Sequence, residues 1–326
     1  MRLAMVAIAS IFVVAGAARD MQGQPAPAKY PTQVIRMVVP FTPGASTDVT
    51  ARLFAQHLSA ALGQQVIIDN RGGAGGGIGA ELVAKAEPDG YTLLASNQGP
   101  FLQTALLRKD SPFAVSDFVP VAFIGYSPLI VVANLKFPPN DVKEMVAYAK
   151  AHPGQVTLGS SGTNGNLHVA IEMLKAATSA DFVHVPYRGT GPSLNDVVAG
   201  TISGAFTTTV SAEGLIKSEK VKVLGVAGPK RMDVIPNVPT FRELGIADSD
   251  SEVWIGIVAP PKTPRNVVDI INREVNRTLE LPDTRERFKQ WGLEIGGGTP
   301  EAFQAVIQTE VERIQKLIKS GALTAQ

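Results

Sequence analysis

Two segments of this chain follow the same order: a short apolar run, a turn of small polar residues, and an amphipathic helix. In the first segment the run Ile35–Val39 leads into the turn at residues 40–48, named here the first turn. In the second segment the run at 156–159 leads into residues 160–168, the second turn. Each segment is the first half of a βα unit, so the order indicates an α/β fold with largely parallel sheets.

The rest of the chain alternates in the same way between apolar runs and helical periodicity. A proline-containing turn is predicted to separate two strands, at 121–124 and 129–133. The further predicted strands are 65–69, 92–95, 182–185, 202–206, 221–227 and 253–259. The further predicted helices are 80–85, 141–152, one ending at 199, 265–279, 283–291 and 300–319.

The N-terminus has the features of a secretory signal peptide. Arg2 gives a positive start, residues 3–14 form an apolar segment, and Ala15-Gly16-Ala17 places small residues at a cleavage position. The apolar segment is too short to anchor the chain across a bilayer. We predict a signal peptide over 1–18 with cleavage near 17/18, a flexible leader over 19–29, and a periplasmic location; the alternative is an N-terminal helix of a cytosolic protein.

The mature chain of roughly 300 residues must fold without disulfides, because the sequence contains no cysteine. This length exceeds that of most domains built around a single hydrophobic core, so two lobes are expected. The net charge is +1 with both signs scattered along the chain, which argues against nucleic acid or a membrane surface as a partner.

A glycine-rich run at residues 72–79 formally fits a dinucleotide-binding pattern, since Gly75, Gly77 and Ala80 follow a predicted strand. Such a site needs an acidic residue at the end of the next strand, where this chain has Ala95-Ser96-Asn97. We therefore predict no nucleotide cofactor. Two interpretations of the run stay open: a mobile or close-packed loop on the rim of a cleft, or plain tight packing.

Metal and nucleophile chemistry are not predicted. There is no G-x-S-x-G motif, and Ser160-Ser161-Gly162 has no evident base beside it. None of the histidines has another at metal-ligand spacing: His57, His152, His168 and His184. We predict no catalytic residue, no metal and no cofactor, and hence a binding protein rather than an enzyme.

The small polar turns are the candidate ligand-binding segments. A turn between a strand and a helix offers free N–H groups and the positive end of the helix dipole, which together bind anions. For the first turn the alternative is a helix start capped by Ser46, Thr47 or Asp48. Turns from both halves that faced each other would enclose a ligand between two lobes.

Several side chains in these turns have two open roles. Arg188 is either a bidentate partner of a carboxylate or a surface arginine. Tyr187 either closes over a ligand or packs, and His168 either contacts ligand or loop or packs. Asp48 would oppose an anion, so it is expected to orient the loop or to meet a ligand donor. The predicted ligand-binding residues are Phe41, Thr42, Pro43, Gly44, Ala45, Ser46, Thr47, Asp48, Ser96, Asn97, Gln98, Ser160, Ser161, Thr163, Asn164, Gly165, Asn166, His168, Tyr187, Arg188, Gly189, Thr207 and Thr208.

A series of motifs runs in order along nearly the whole mature chain. They are Tyr30-Pro31, residues 35–41, Pro43-Gly44, Asp48, Asn70-Arg71, residues 73–76, Ile78-Gly79, residues 88–93, Gly162, Gly165, His168, residues 184–187, Gly189, Asp196 and residues 236–240. In this order they resemble the extracytoplasmic solute-binding proteins of tripartite tricarboxylate transporters, of the TctC or Bug type.

The resemblance implies an α/β fold of the type II periplasmic binding protein, with two α/β lobes joined by two crossing strands. It places lobe 1 at 30–130 plus 255–326 and lobe 2 at 131–254, with crossings at 129–134 and 252–258. The first turn would grip a carboxylate through backbone groups and ordered water, and the second turn would approach from the other lobe.

The implied function is that of a monomer that captures a small carboxylate and delivers it to the membrane subunits of such a transporter. A sensor-kinase ectodomain is the alternative partner, and a secreted α/β enzyme is the less favoured alternative. Two positions depart from the family pattern: Gly44-Ala45, where Gly-Gly is common, and Gly165-Asn166, where Ser or Thr is common. Both lie in the turns that set specificity, so the resemblance does not identify the carboxylate.

Overall fold

The structure is a computed structural model that describes residues 30–247, 249–321 and 323. The predicted signal peptide and leader, residues 1–29, lie outside the described residues. Within the described ranges, no helix is both long enough and apolar enough to cross a membrane.

Strands occur in the described chain close to where the sequence predicts them. Their bounds are β1 (Ile35–Val39), β2 (Val66–Asn70), β3 (Thr92–Ser96), β4 (Val119–Ala133), β5 (Val156–Ser160), β6 (Phe182–Pro186), β7 (Gly204–Thr207), β8 (Lys222–Ala227), β9 (Glu252–Ala259) and β10 (Glu294–Ile295). The two-residue β10 was not predicted, because so short a strand carries no alternation of apolar and polar positions.

The helices also follow the predicted order, with two additions. They are α1 (Ser46–Leu62), α2 (Gly77–Ala84), α3 (Thr104–Leu107), α4 (Val142–Ala151), α5 (Asn166–Thr178), α6 (Thr190–Ala199), α7 (Thr209–Lys217), α8 (Arg265–Glu280), α9 (Pro282–Trp291) and α10 (Pro300–Lys319). Helices α3 and α7 were not predicted. Helix α7 is short and contains Gly214, a weak helix former, although Thr208 caps it by accepting a hydrogen bond from the Ser211 N–H.

The strands pair in the order β2-β1-β3-β9-β4-β7-β5-β6, and β8 and β10 pair with β4 off this path. We name β2, β1, β3, β9 and residues 119–128 of β4 the first sheet. Residues 129–133 of β4 with β7, β5, β6 and β8 form the second sheet. Pairing is parallel among β1, β2 and β3 and again among β5, β6 and β7, as the βα units predict.

Strand β4 carries the chain from one sheet to the other. The predicted pair of strands separated by a turn is wrong, because β4 is continuous through Pro128. Pairing changes there from β9 to β7 and β8, and a proline without an N–H is tolerated where a ladder of hydrogen bonds is interrupted.

The second predicted crossing strand, β9, pairs with β3 and β4 in the first sheet only. The chain enters that sheet just before β9, where Ser251 N–H donates to Ala227 O and Ser251 O accepts from Leu129 N–H. The lobe boundaries themselves stay a prediction.

A hydrophobic core supports each sheet. Phe101, Trp254 and Phe303 belong to the core of the first sheet, whereas Phe206 and Phe241 belong to that of the second. Truncating a buried Phe to Ala typically costs about 3–5 kcal/mol of stability, so such cores fix the strands firmly. The turns that follow the strands therefore begin from fixed positions.

Candidate functional site

A cavity lies where the carboxyl ends of strands from both sheets meet. The space between its lining residues, including the part that is open to solvent, amounts to about 280 Å³. Clefts at the carboxyl ends of parallel strands are the usual ligand-binding position in open α/β sheets. The lining residues are Phe41, Ala45, Ser46, Thr47, Asn97, Ser161, Asn166, Leu167, Thr190, Thr207, Thr208, Ser211 and Val253.

None of these lining residues carries a charge. Most have a hydroxyl group, two have an amide, and the remainder are apolar. An ionic ligand would therefore meet hydrogen-bonding dipoles rather than a charged partner.

Helix N-termini supply the strongest dipoles at the cavity. Helices α1, α5 and α6 begin at residues that line it: Ser46, Asn166 and Thr190. Their N-cap residues are Ala45, Gly165 and Gly189, and none provides a side-chain cap. Uncapped first turns leave N–H donors at the positive end of the helix dipole. The Ser46 N–H of α1 is an exception, because it donates to Ser211 Oγ at 2.9 Å. The alternative in which Ser46, Thr47 or Asp48 caps α1 is therefore wrong.

The first turn is held by a buried carboxylate, that of Asp48, which is 2% exposed. Its oxygens accept hydrogen bonds from the Gly44 N–H at 2.9 Å, from Asn70 Nδ2 at 2.8 Å and from Arg52 Nε at 3.1 Å. Asn70 Nδ2 also donates to Phe41 O at 3.0 Å. Asp48 thus orients the loop, one of its two expected roles, and it does not line the cavity.

These contacts set the ionisation of Asp48. Burial on its own would raise the pKa of this carboxyl. The hydrogen bonds from Arg52, Asn70 and the Gly44 N–H outweigh burial, so the pKa lies below its usual value of 3.8. The carboxylate is accordingly ionised at neutral pH.

The second turn is held by two stacked imidazoles, with ring centres 4.0 Å apart. The Asn164 N–H donates to His168 Nδ1 at 3.1 Å, and His184 Nε2 lies 2.6 Å from Ser160 Oγ. Ser160 Oγ also bonds the backbone of Gly162. His168 therefore contacts the loop, which was one of its open roles, and it lies outside the cavity lining.

Both imidazoles are neutral at pH 7. Burial lowers the pKa of His184 to about 4, helped by the nearby His168 and Lys175. Burial also lowers the pKa of His168, with Lys175 acting in the same direction and Glu172 opposing it. A neutral His168 is what the Asn164 hydrogen bond requires, because Nδ1 must offer a lone pair.

The turn after β3 contributes Asn97 to the lining. Its Oδ1 accepts from the Gly99 N–H at 3.0 Å, and its Nδ2 lies 3.5 Å from Thr47 Oγ1. Gln98 instead holds β9, because its Nε2 donates to Glu252 O at 2.7 Å and its Oε1 accepts from the Trp254 N–H at 3.2 Å.

The turn at residues 186–192, the third turn, stands partly apart from the cavity. Tyr187 donates its hydroxyl to Asp196 Oδ2 at 2.6 Å; burial and this bond raise its pKa to about 12. Arg188 is exposed and forms no hydrogen bond or ion pair within the described ranges. Gly189 packs against Thr42 so closely that a Cβ at this position would overlap the Thr42 side chain.

The glycine-rich run packs against the second turn. A Cβ at Gly75 would lie 2.5 Å from Thr163 O, and one at Gly162 would lie 3.0 Å from Gly75 Cα. Only glycine permits this approach of two backbones. The run is therefore closely packed, as a close-packed rim loop and plain tight packing both require, and the contact joins segments that follow strands of the two sheets.

The predicted ligand-binding residues therefore divide into two groups. Those that line the cavity are Phe41, Ala45, Ser46, Thr47, Asn97, Ser161, Asn166, Thr207 and Thr208. Those that do not line it are Thr42, Pro43, Gly44, Asp48, Ser96, Gln98, Ser160, Thr163, Asn164, Gly165, His168, Tyr187, Arg188 and Gly189. Whether any of them contacts a ligand stays a prediction.

Four lining residues were not predicted: Leu167, Thr190, Ser211 and Val253. Leu167 and Thr190 stand at helix starts next to predicted positions, so the helix-start signal itself could have included them. Ser211 depends on recognising α7, and Val253 depends on the pairing of β9, which local sequence does not encode. Among the described residues no cluster of three or more His, Cys, Asp or Glu could hold a metal ion.

The sequence comparisons place this arrangement among known proteins. The family model described as tripartite tricarboxylate transporter family receptor, TctC, matches residues 50–323. Protein BugT of Bordetella pertussis is 33% identical over 312 residues, which is 95% of this chain and 94% of BugT. The family consists of binding receptors, so the expectation of a binding protein rather than an enzyme is confirmed.

Solved structures agree with the sequence comparisons. The periplasmic binding protein BugD matches with a TM-score of 0.86 and 34% identity, over 91% of this chain and all of BugD. Rhodopseudomonas palustris Rpa4515 with adipate matches at 0.87 and 30%, covering 90% and 99% of the two chains. MatC of the same species, with bound malate, matches at 0.85 and 31%, covering 89% and 100%. This chain belongs to the TctC family of tripartite tricarboxylate transporter receptors, whose two-lobed periplasmic binding-protein fold it shares.

Proposed function

We propose that this protein is a periplasmic solute-binding protein that captures a small organic anion, a carboxylate, in the cavity described above. The observation that carries the proposal is the meeting of the uncapped N-termini of α1, α5 and α6 at a cavity lined by no charged side chain. Helix N-termini bind anions through their N–H groups and dipoles without a cationic side chain. The relatives with bound adipate and malate, both small dicarboxylates, support this class of ligand.

The magnitude of the helix contribution is adequate for reversible capture. A favourably placed charge at a helix N-terminus is stabilised by about 0.3–1 kcal/mol when exposed and by up to about 2 kcal/mol when partly buried. Three such termini, together with hydroxyl donors, supply several kcal/mol to a desolvated carboxylate. A binding protein that must release its ligand needs no stronger ion pair.

Capture would proceed by closure of two lobes. The cavity is lined by Ser46 and Asn97, which follow strands of the first sheet, and by Ser161 and Thr207, which lie after or at the end of strands of the second. A ligand that bonds both sides favours the closed arrangement by its difference in affinity for closed and open forms. We place the lobes at 30–130 plus 255–326 and at 131–254, with β4 as one of the connecting strands.

Thermal melts against a panel of carboxylates test the ligand class. The panel contains mono-, di- and tricarboxylates, aromatic acids, acidic amino acids and, as controls, neutral sugars. A specific ligand at a hundredfold excess over Kd adds about 2.7 kcal/mol of stability, which is readily seen as a rise in Tm. A sugar that raised Tm while no carboxylate did so would overturn the proposal. Native mass spectrometry of freshly purified protein would identify a ligand that survives purification.

We further propose export and delivery to the membrane subunits of a tripartite tricarboxylate transporter. The mass of the protein from a periplasmic fraction should correspond to cleavage near 17/18. Purified membrane subunits should retain the ligand-loaded protein more strongly than the ligand-free protein. A full-length protein in the cytoplasmic fraction would contradict export, and selective retention by a sensor-kinase ectodomain would contradict delivery to a transporter.

A further inference from the structure

Thr207 is the last residue of β7, and it lines the cavity while being 0% exposed. Its Oγ1 is buried and has no hydrogen-bond partner among the described residues. A buried hydroxyl without a partner costs about 1–3 kcal/mol, so native proteins rarely keep one without a reason. An unpaired hydroxyl at a cavity wall is available to a ligand.

Three other hydroxyls of the lining, those of Thr47, Thr208 and Ser211, are committed within the protein. Thr208 Oγ1 and Ser211 Oγ lie 3.2 Å apart in a hydrogen bond, and Ser211 Oγ accepts from the Ser46 N–H at 2.9 Å. Thr47 Oγ1 lies 3.5 Å from Asn97 Nδ2. Among the lining side chains, Thr207 alone combines a buried polar atom with the lack of any partner in the described chain.

Thr207 stands on a different element from the N-termini of α1, α5 and α6. In the sheet Thr207 pairs with Ile130 of β4, the strand that passes between the sheets. Helices α1, α5 and α6 bring their N–H groups to the same cavity from other segments. A ligand whose carboxylate binds at these helix N-termini places its remaining atoms against other parts of the lining. In those parts Thr207 is polar, whereas Leu167 and Val253 are apolar.

We propose that Thr207 is a specificity-determining residue, whose hydroxyl bonds a second oxygen-bearing group of the ligand. The class of ligand is then a small carboxylate with a further hydroxyl or carboxylate group, in preference to a plain aliphatic monocarboxylate. This inference depends on the proposed carboxylate-binding function. A site built to bond a ligand oxygen rejects the analogue that lacks it, because the protein hydroxyl is then left unpaired.

Calorimetry with matched acids tests the inference. The probes are succinate, 4-hydroxybutanoate and butanoate, and their six-carbon counterparts adipate, 6-hydroxyhexanoate and hexanoate. Within each series the second group is a carboxylate, a hydroxyl or a methyl. The wild type should bind at least one oxygen-bearing acid of a series more tightly than the methyl-ended acid of the same length.

The variants isolate the hydroxyl. Thr207→Val keeps the shape and should reduce the preference for the oxygen-bearing acid by about ten- to hundredfold, the equivalent of one hydrogen bond to a charged or polar oxygen. Thr207→Ser should retain the preference. Thr284→Val is the matched control, because Thr284 is also 0% exposed and its Oγ1 also lacks a partner, but it lies in α9 and outside the cavity lining. This control should leave the preference unchanged.

The possible results separate a failure of this inference from a failure of the proposed carboxylate-binding function. If the wild type binds none of the six acids while it binds a neutral sugar, the proposed function and this inference both fall. If the wild type binds them but Thr207→Val weakens the binding of all acids of a series equally, the inference falls. Thr207 then affects the shape of the cavity without bonding the second group of the ligand. An unchanged preference in Thr207→Val would likewise overturn the inference while leaving carboxylate binding intact.

Discussion

The first turn and the second turn both lead from a parallel strand into a helix whose uncapped N-terminus lines the cavity. They differ in what holds them. The first turn is fixed by the ionised carboxylate of Asp48, whereas the second is fixed by the neutral imidazoles of His168 and His184. Turns of similar composition can thus be held by an ionised group or by neutral ones, and in each the helix N-terminus has no side-chain cap from its own N-cap residue.

The supporting residues nevertheless have the same origin in the two turns. In the first turn Asp48 lies within the segment, and Asn70 from the end of β2 completes the support. In the second turn His168 lies within the segment, and His184 comes from β6. In both cases a neighbouring parallel strand supplies the outer partner, which ties the turn to the sheet as well as to its own helix.

Removing the carboxylate of the first turn should have the largest effect. Asp48→Ala leaves the Gly44 N–H and Asn70 Nδ2 without their acceptor, and we expect a loss of about 2–3 kcal/mol in the free energy of unfolding. We expect no larger loss of stability, because the Arg52 side chain is half exposed and becomes hydrated when its partner is removed. Urea denaturation measures the loss, and ligand affinity in calorimetry should fall by about tenfold or more.

Asp141→Ala is the matched control for this prediction. Asp141 caps α4 by accepting from the Glu144 N–H, and it does not line the cavity. Loss of one cap should cost about 1 kcal/mol of stability without changing ligand affinity. Equal effects of the two substitutions on stability and binding would contradict a special role for Asp48.

The second turn should respond to pH before the first. The folded-state pKa values of His168 and His184 lie below the unfolded value of 6.5, so their contribution to stability is complete above pH 6.5 and is lost as pH falls toward 4. The contribution of Asp48 is complete above 3.8 and is lost only as pH falls through its lower folded-state pKa. We expect the free energy of unfolding to fall by about 1–2 kcal/mol between pH 7.5 and pH 5.

Protonation of His168 at Nδ1 also removes the acceptor of the Asn164 N–H, so ligand affinity should fall over the same pH range. Denaturation and calorimetry at several pH values measure both effects. Replacing both residues, His168→Gln with His184→Gln, should flatten the two pH profiles. A double variant that kept the wild-type slopes would assign the pH dependence to other groups.

The contact between the glycine-rich run and the second turn provides a third test. Gly75→Ala introduces a Cβ 2.5 Å from Thr163 O, so the two segments must separate. We expect ligand affinity to fall about tenfold, because the second turn is moved away from its bound position. Gly63→Ala is the control: Gly63 has nearly the same backbone angle, with φ of +66° against +64°, but a Cβ there meets nothing within 4 Å.

Strain alone at a positive φ costs on the order of 1 kcal/mol of stability for a residue other than Gly. Both glycine variants should show this loss in denaturation, and only Gly75→Ala should also lose affinity. Similar affinities for the two variants would mean that the contact has no part in binding.

The sequence predicted the local parts of this arrangement and missed the parts that depend on distant partners. The strand, turn and helix around residues 35–62 were predictable, because their causes lie within a few residues of one another. Orienting the loop was one of two roles expected of Asp48, and its partners Gly44 and Arg52 each lie four residues away. The continuity of β4 through Pro128 depends on strands far along the chain. Gln98 was assigned to the ligand because its polarity is visible in the sequence, whereas its acceptor, the carbonyl of Glu252, is not.

The smallest expected effect is that of a substitution in the third turn. It concerns Arg188, the residue for which a role as partner of a carboxylate was left open. Neither Arg52 nor Arg188 lines the cavity: Arg52 pairs with Asp48, and Arg188 is exposed. We expect Arg188→Ala to weaken carboxylate binding by less than about 0.5 kcal/mol, as for most surface substitutions. Calorimetry at low salt and at 0.15 M salt checks this, since a long-range attraction fades within a Debye length of about 8 Å at the higher salt. Lys85→Ala, which removes an exposed cation remote from the lining, is the control. A tenfold loss for Arg188→Ala at both salt concentrations would contradict this expectation. It would mean that the Arg188 guanidinium contacts the ligand, so that binding of the anion depends on a full charge as well as on helix dipoles.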